Sequence, residues 1–137
     1  MPLSRQQLEL RSRGARAIRT FQEEVGEGSD RAVVAIDQAY SLIGYVERAA
    51  MRGEMWVRMF VQGDLRTLSS EKHKFSYTDH GEASTEYVAA RTLATDTIRL
   101  LRGMTDWSVE LRTGEMLEPK SGPRTYVVAV HVQIAES

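Results

Sequence analysis

The sequence predicts an α+β domain: a small three- to four-stranded mixed sheet, two main helices packed on it, and a separate N-terminal amphipathic helix. Three observations carry this expectation. Three stretches repeat apolar residues at helical spacing, each bracketed by capping residues. Three others alternate apolar and polar residues, the period of a half-buried strand. Their order along the chain is helix, helix, strand, helix, strand, strand.

Residues 4–25 read as the first helix. Ser4 and Gln7 fit a capping box, with Leu3 and Leu8 at the staple positions around it. Leu8, Ala15, Ile18, Phe21 and Val25 then recur at helical spacing, and Gly26 and Gly28 end the run. The stripe is thin, and Gly14 weakens its middle by up to about 1 kcal/mol. The second helix spans 30–52, with Ser29 as N-cap, Asp30 at the positive N-terminal end and Gly53 just beyond the last turn. Val33, Ile36, Tyr40, Ile43, Val46 and Ala50 form its expected buried stripe.

A strand over 55–62 follows almost without a loop. The polar stretch 63–83 is anchored only by Leu65, Leu68, Phe75 and Tyr77, and the alternation of Phe75 with Tyr77 allows a short edge strand. Ser84 caps a third helix over 85–102, with Val88, Ala94, Ile98 and Leu101 along one side. Trp107, Val109 and Leu111 mark a second strand. The segment TGEMLEPKSGPR reads as a hairpin loop longer than a tight turn. The last strand, TYVVAVHVQIA, places Tyr126, Val128, Val130, Val132 and Ile134 on one face. A β-α-β unit over 54–112 makes the first two strands parallel, with the last returning antiparallel beside one of them. Residues 1–28 are then a helical arm with a glycine hinge, and 29–137 a single α+β core.

Composition narrows the function classes. A chain of 137 residues can bury a core without staples, and it has no cysteine for disulfides, thiolate metal sites or a Cys nucleophile. A net charge of −1 exerts no global pull on nucleic acid or acidic membranes. MPLSRQQLELRSRG has no apolar core of a secretory signal, and no apolar run approaches the roughly 20 residues of a membrane span. An intracellular or intracellularly assembled protein is the expectation.

The strand 55–62 raises the question that bears on function. Met55, Val57, Met59 and Val61 share one face, and Trp56 and Phe60 the other. Val127 and Ala129 of the last strand join that second face. Fully burying a Trp or Phe is worth very roughly 2–3 kcal/mol, so both left in water invite association. The N-terminal helix could cover this face in its own chain or in a neighbour, hinged at Gly26-Glu27-Gly28. The expected interface residues are Leu8, Arg16, Ile18, Phe21, Trp56 and Phe60.

Catalytic chemistry finds little support. Asp79, His80 and Glu82 cluster in TDHGE near His73, but without the paired-His helical spacing of a metal site, so solvated loop residues are expected. His131 reads as a surface or interface residue. The carboxylates Glu23, Glu24, Glu27 and Asp30 read as a solvated run around the hinge. No nucleophile elbow and no phosphate-cradling glycine motif is present, so neither an enzyme nor a cofactor is expected. Arg5, Arg11, Arg13, Arg16 and Arg19 form the most notable basic feature, offset only by Glu9 in the first 20 residues. Arg5, Arg16 and Arg19 fall close on a helical wheel, with Ser12 interrupting the strip. Such a strip could contact phosphates, but no aromatic residue interleaves for base stacking, so nucleic acid is possible rather than favoured.

The segment IGYVERAAMRGEMWVRM at 43–59, where a helix ends in Ala-Ala-x-x-Gly and passes straight into a strand, resembles small α+β proteins of tailed-phage virions. The helix end TIRLLRGMTDWSVEL at 97–111 and the closing strand TYVVAVHVQI at 125–134 extend the resemblance over roughly residues 30–134. It implies a non-catalytic protein of a head, neck or tail that binds copies of itself or neighbouring structural proteins. The alternative is a small regulatory or inhibitor protein that binds nucleic acid or a host protein through the arginine-rich helix.

Overall fold

The computed structural model describes residues 2–76, 84–116 and 125–135, without the side chains of 115 and 116. Its elements run α1 (Arg5–Val25), α2 (Asp30–Met51), β1 (Trp56–Val61), β2 (Leu68–Ser69), β3 (Phe75–Ser76), α3 (Thr85–Met104), β4 (Ser108–Met116) and β5 (Thr125–Gln133). All three helices begin on serine caps. The Ser4, Ser29 and Ser84 hydroxyls accept from the backbone N–H groups of Gln7, Ala32 and Tyr87, and Gln7 returns a bond to Ser4 to complete the capping box.

The class is α+β, but the sheet is not mixed. Every pairing among the described residues is antiparallel. β5 is the central strand: β1 lies along one side of it, β4 along the other, and β3 continues the β1 side. β2 adds to the outer edge of β1. The expected parallel pair, β1 and β4, does run in one direction, but β5 is inserted between them and pairs with both. Antiparallel bonds on both sides of β5 replace a direct β1–β4 ladder.

The core lies between the helices and one face of this sheet. Val57, Met59 and Val61 of β1, Val128, Val130 and Val132 of β5, and Val109 of β4 point into it. From the 63–76 stretch, Leu68 and Phe75 are buried and Leu65 packs against the core. Tyr77 lies outside the described residues, as does most of the long hairpin loop.

The expected α2 face is corrected in part, and the expected α3 face at one residue. α2 buries Ala32, Ala35, Ala39, Leu42, Val46 and Ala49, whereas Val33 and Tyr40 face solvent. Small residues take the inward side because they allow the α2 backbone to approach α3 and the sheet closely. On α3 the expected Ala94, Ile98 and Leu101 are buried, together with Tyr87, Ala90, Leu93 and Leu100, and of the expected side Val88 alone is exposed.

α1 is not a cover for the sheet. It packs along α3, with a lesser contact to α2. Phe21 is 0% exposed and Ile18 packs against the same core. The crossing is close: Ala17 sits against Gly103, where a Cβ would come within 2.4 Å of the Ala17 Cβ, and Gly14 lies on Met104. Arg13 donates to the carbonyls of Gly103 (3.1 Å) and Thr105 (2.7 Å) and to the Asp106 carboxylate (2.9 Å). It thereby satisfies acceptors left over at the end of α3. At the other end, Glu24 pairs with Arg99 at 2.6 Å, and Arg99 lies over the Phe21 ring. The Gly26–Gly28 link, with φ of 99° and 75°, is a tight turn between two packed helices.

Candidate interaction surface

The remaining face of the sheet carries the side chains that the sequence singled out. α2 ends in a turn at Gly53, whose φ of 82° suits glycine, with Glu54 donating back to the Ala49 carbonyl at 3.1 Å. The Met55 carbonyl then accepts from the Ile134 and Ala135 amides, which registers β1 on β5. In this register the odd residues of β1 enter the core. Trp56, Arg58 and Phe60 stand on the opposite face, beside Gln133, His131 and Ala129 of β5.

These side chains form one cluster. Trp56 is 51% exposed. Its ring stacks on His131 with centroids 5.6 Å apart, and the Arg58 guanidinium lies over it at 5.0 Å. His131 is only 7% exposed, and its Nε2 contacts the Gln133 amide oxygen at 3.2 Å. Its Nδ1 and the Arg58 Nε are buried without a hydrogen-bond partner among the described residues. On β4, Glu110 and Arg112 pair at 2.9 Å on the same face. Phe60 is 6% exposed, so of the two aromatic residues only Trp56 is open to solvent.

Phe60 is shielded by the chain that follows β2. The Gln62 amide donates to the Phe60 carbonyl (3.2 Å) and to the Glu71 carbonyl (2.7 Å), tying that segment to β1. Ser70 and Lys72 line, with Tyr45, Met55, Trp56 and Arg58, a groove of about 750 Å³ along β1. β2 pairs only with Phe60 and Val61, so the outer edge of β1 at Trp56 and Arg58 has no strand beside it among the described residues. An open edge beside an exposed tryptophan and two cations can take up an extended segment of another chain.

No protein-family model, curated protein or solved structure matches the chain.

The other sequence-stipulated residues are scattered. Leu8 and Arg16 are exposed on α1, whereas Phe21 is buried. Arg5 pairs with Glu9 at 3.3 Å, Arg16 donates to Ser12 at 3.3 Å, and Arg13 is bound to the end of α3. Arg11 and Arg19 are exposed and make no ion pair among the described residues. His73 packs edge-on against Phe75 at 4.8 Å and occupies the space over Gly63. Asp79, His80 and Glu82 lie outside the described residues. Among the described residues no three His, Asp or Glu side chains converge on a metal-sized site. No helix among the described residues is long and apolar enough to cross a membrane.

The sequence pointed to Trp56 and Phe60 and placed His131 on the second face of its own strand, but missed Arg58 and Lys72 as neighbours. Alternation along β1 places Arg58 with Trp56. Only the β1–β5 register, invisible in sequence, brings His131 under the tryptophan.

Proposed function

We propose that the chain is a non-catalytic assembly protein that acts through contacts with other protein chains, of the kind found in the head, neck or tail of tailed-phage particles. One observation supports it above the rest: Trp56 is half exposed on the helix-free face of the sheet, beside an unpaired stretch of the β1 edge. Tryptophan and arginine are the side chains that most often anchor protein interfaces. The groove is elongated along a strand, and its walls are a cation-bearing segment and the end of α2. That shape suits a peptide strand.

The test has two parts. The genes flanking this one are expected to encode portal, capsid or tail proteins. Their purified products are then assayed for binding to the chain by interferometry. Binding to at least one of them, lost in Trp56→Glu while the circular dichroism spectrum is retained, supports the reading. Binding to none, or binding indifferent to Trp56, refutes it. A salt series with nucleic acid runs alongside: steep loss of a tight complex with salt would favour the arginine face of α1 instead.

A further inference from the structure

We propose that the outward face of α2 is a self-association surface, on which a second copy of the chain docks its own α2, antiparallel and about a two-fold axis near Leu42 and Ile43. The starting point is the corrected orientation of this helix. Val33 (52% exposed), Tyr40 (57%) and Met51 (89%) are three of the seven large apolar side chains exposed among the described residues. All three lie on one face, with Ile36 and Ile43 half-buried along its margin. The positions 33, 36, 40 and 43 follow the alternating three- and four-residue spacing of a two-helix seam, and 50 lies one heptad beyond 43, past Glu47.

The pattern is complementary to its own reverse, and that identifies the occupant. A two-fold axis between Leu42 and Ile43 brings Val33 within one residue of the level of Met51 and Ile36 within one residue of the level of Ala50. Tyr40, the largest protruding side chain, comes opposite Gly44, which offers no side chain of its own. The charges agree with the same register. Asp37 and Arg48 flank one side of the stripe, and neither has an ion-pair partner within the chain among the described residues. The antiparallel arrangement brings each Asp37 to the Arg48 of the second copy, twice per dimer. Arg48 now lies over Gly44, its Nη1 3.3 Å from where a Cβ would stand, and its move to Asp37 opens the slot for Tyr40. Glu47, the charged group within the stripe, comes beside the Tyr40 hydroxyl of the second copy, a donor for its carboxylate. A parallel arrangement fails on the same residues, because it sets Tyr40 against Tyr40 and like charges against like.

The interface is separate from the sheet face, on the far side of the helical layer, so it stands or falls independently of the Trp56 reading. The test is light scattering of the full chain over a concentration series. The wild type is expected to be a dimer, and Tyr40→Asp to weaken it by roughly thirtyfold or more, the loss typical of an interface anchor. Asp37→Arg is expected to weaken it as well, and the swap Asp37→Arg with Arg48→Asp to restore it, which a folding defect would not do. The absence of native cysteine allows a direct check of register. Ile43→Cys, near the axis, should form a disulfide-linked dimer about tenfold faster than Ser108→Cys, exposed on the outward face of the sheet. Trp56→Glu should leave the dimer intact. A wild type that stays monomeric at its highest soluble concentration overturns the proposal. So does a dimer indifferent to Tyr40→Asp, or one in which Ser108→Cys cross-links as fast as Ile43→Cys.

Discussion

Replacing Gly103 by alanine should loosen the whole N-terminal helix. The new Cβ would stand 2.4 Å from the Ala17 Cβ. Carbon atoms rest at about 3.5–4.0 Å, so α1 and α3 must part by roughly 1 Å or more. A gap of that size forfeits about a quarter to a half of each contact along the seam. Overpacking of this kind costs about 1–3 kcal/mol, and alanine's better helix propensity returns up to about 1 kcal/mol. The net expectation is a loss of about 1–2 kcal/mol, or a Tm lower by roughly 4–8 °C. A double-mutant cycle isolates the cause. In an Ala17→Gly background the obstructing methyl is gone, and Gly103→Ala should become neutral or stabilising. The coupling read from urea denaturation should be about 1–2 kcal/mol. Gly14→Ala is the control: its Cβ would meet Met104 at 3.4 Å, an ordinary contact, so it should be neutral or slightly stabilising. Equal costs for Gly103→Ala in both backgrounds would refute the packing of α1 on α3.

Phe21→Ala removes a fully buried ring from the chain's own core and should cost about 3–5 kcal/mol by chemical denaturation, so α1 cannot be trimmed without unfolding pressure on the rest. Arg31→Ala should cost about 1–3 kcal/mol in the same assay. It strands the buried Asp96 carboxylate, which Arg31 now holds through two bonds of 2.8 and 3.0 Å. Asp64 should titrate below its ordinary value of 3.8, because the Arg66 amide and then the Thr67 hydroxyl donate to its carboxylate. Its folded pKa lies below its unfolded one. The stability it contributes is therefore present above the ordinary carboxylate range and is lost as pH falls through the lowered value. NMR titration reads the shift, and Asp64→Asn should remove that part of the acid-side slope.

The elements were legible because each carries a local signal. The serine caps at 4, 29 and 84 mark where all three helices begin, and alternation marks β1, β4 and β5 to within a few residues. Two things were not local. Alternation states which side chains share a face, not which strand lies beside which, so the insertion of β5 between β1 and β4 was missed. The α2 stripe was misread because apolar size was taken as a sign of burial. A run such as Ala32, Ala35, Ala39 and Ala49 has a weak hydrophobic signature, yet it is what permits close packing. Gly14 was read as a defect in a thin helix. It is one of three small residues, with Ala17 and Gly103, that let α1 seat on α3. For the candidate site, Trp56 was visible from its pattern, whereas its contact with His131 depends on the ladder register.

The two proposed surfaces lie on opposite sides of the chain, and this has a consequence for assembly. Along β1 the odd residues point to the helical layer and the even ones away from it. The α2 stripe forms the outside of that layer. A two-fold contact closes on itself, so α2 pairing by itself stops at a dimer. Such a dimer carries two Trp56 faces, each directed away from the axis helices. A partner bound at the sheet face is then held in two copies, and the chain acts as a symmetric linker. The expected complex with a cognate partner has two copies of each chain. Tyr40→Asp should reduce it to one of each without abolishing binding, and Trp56→Glu should leave a bare dimer. Native mass spectrometry distinguishes these species. A complex in which Tyr40→Asp abolishes partner binding outright would mean that the two surfaces are one site, and the linker argument would fail.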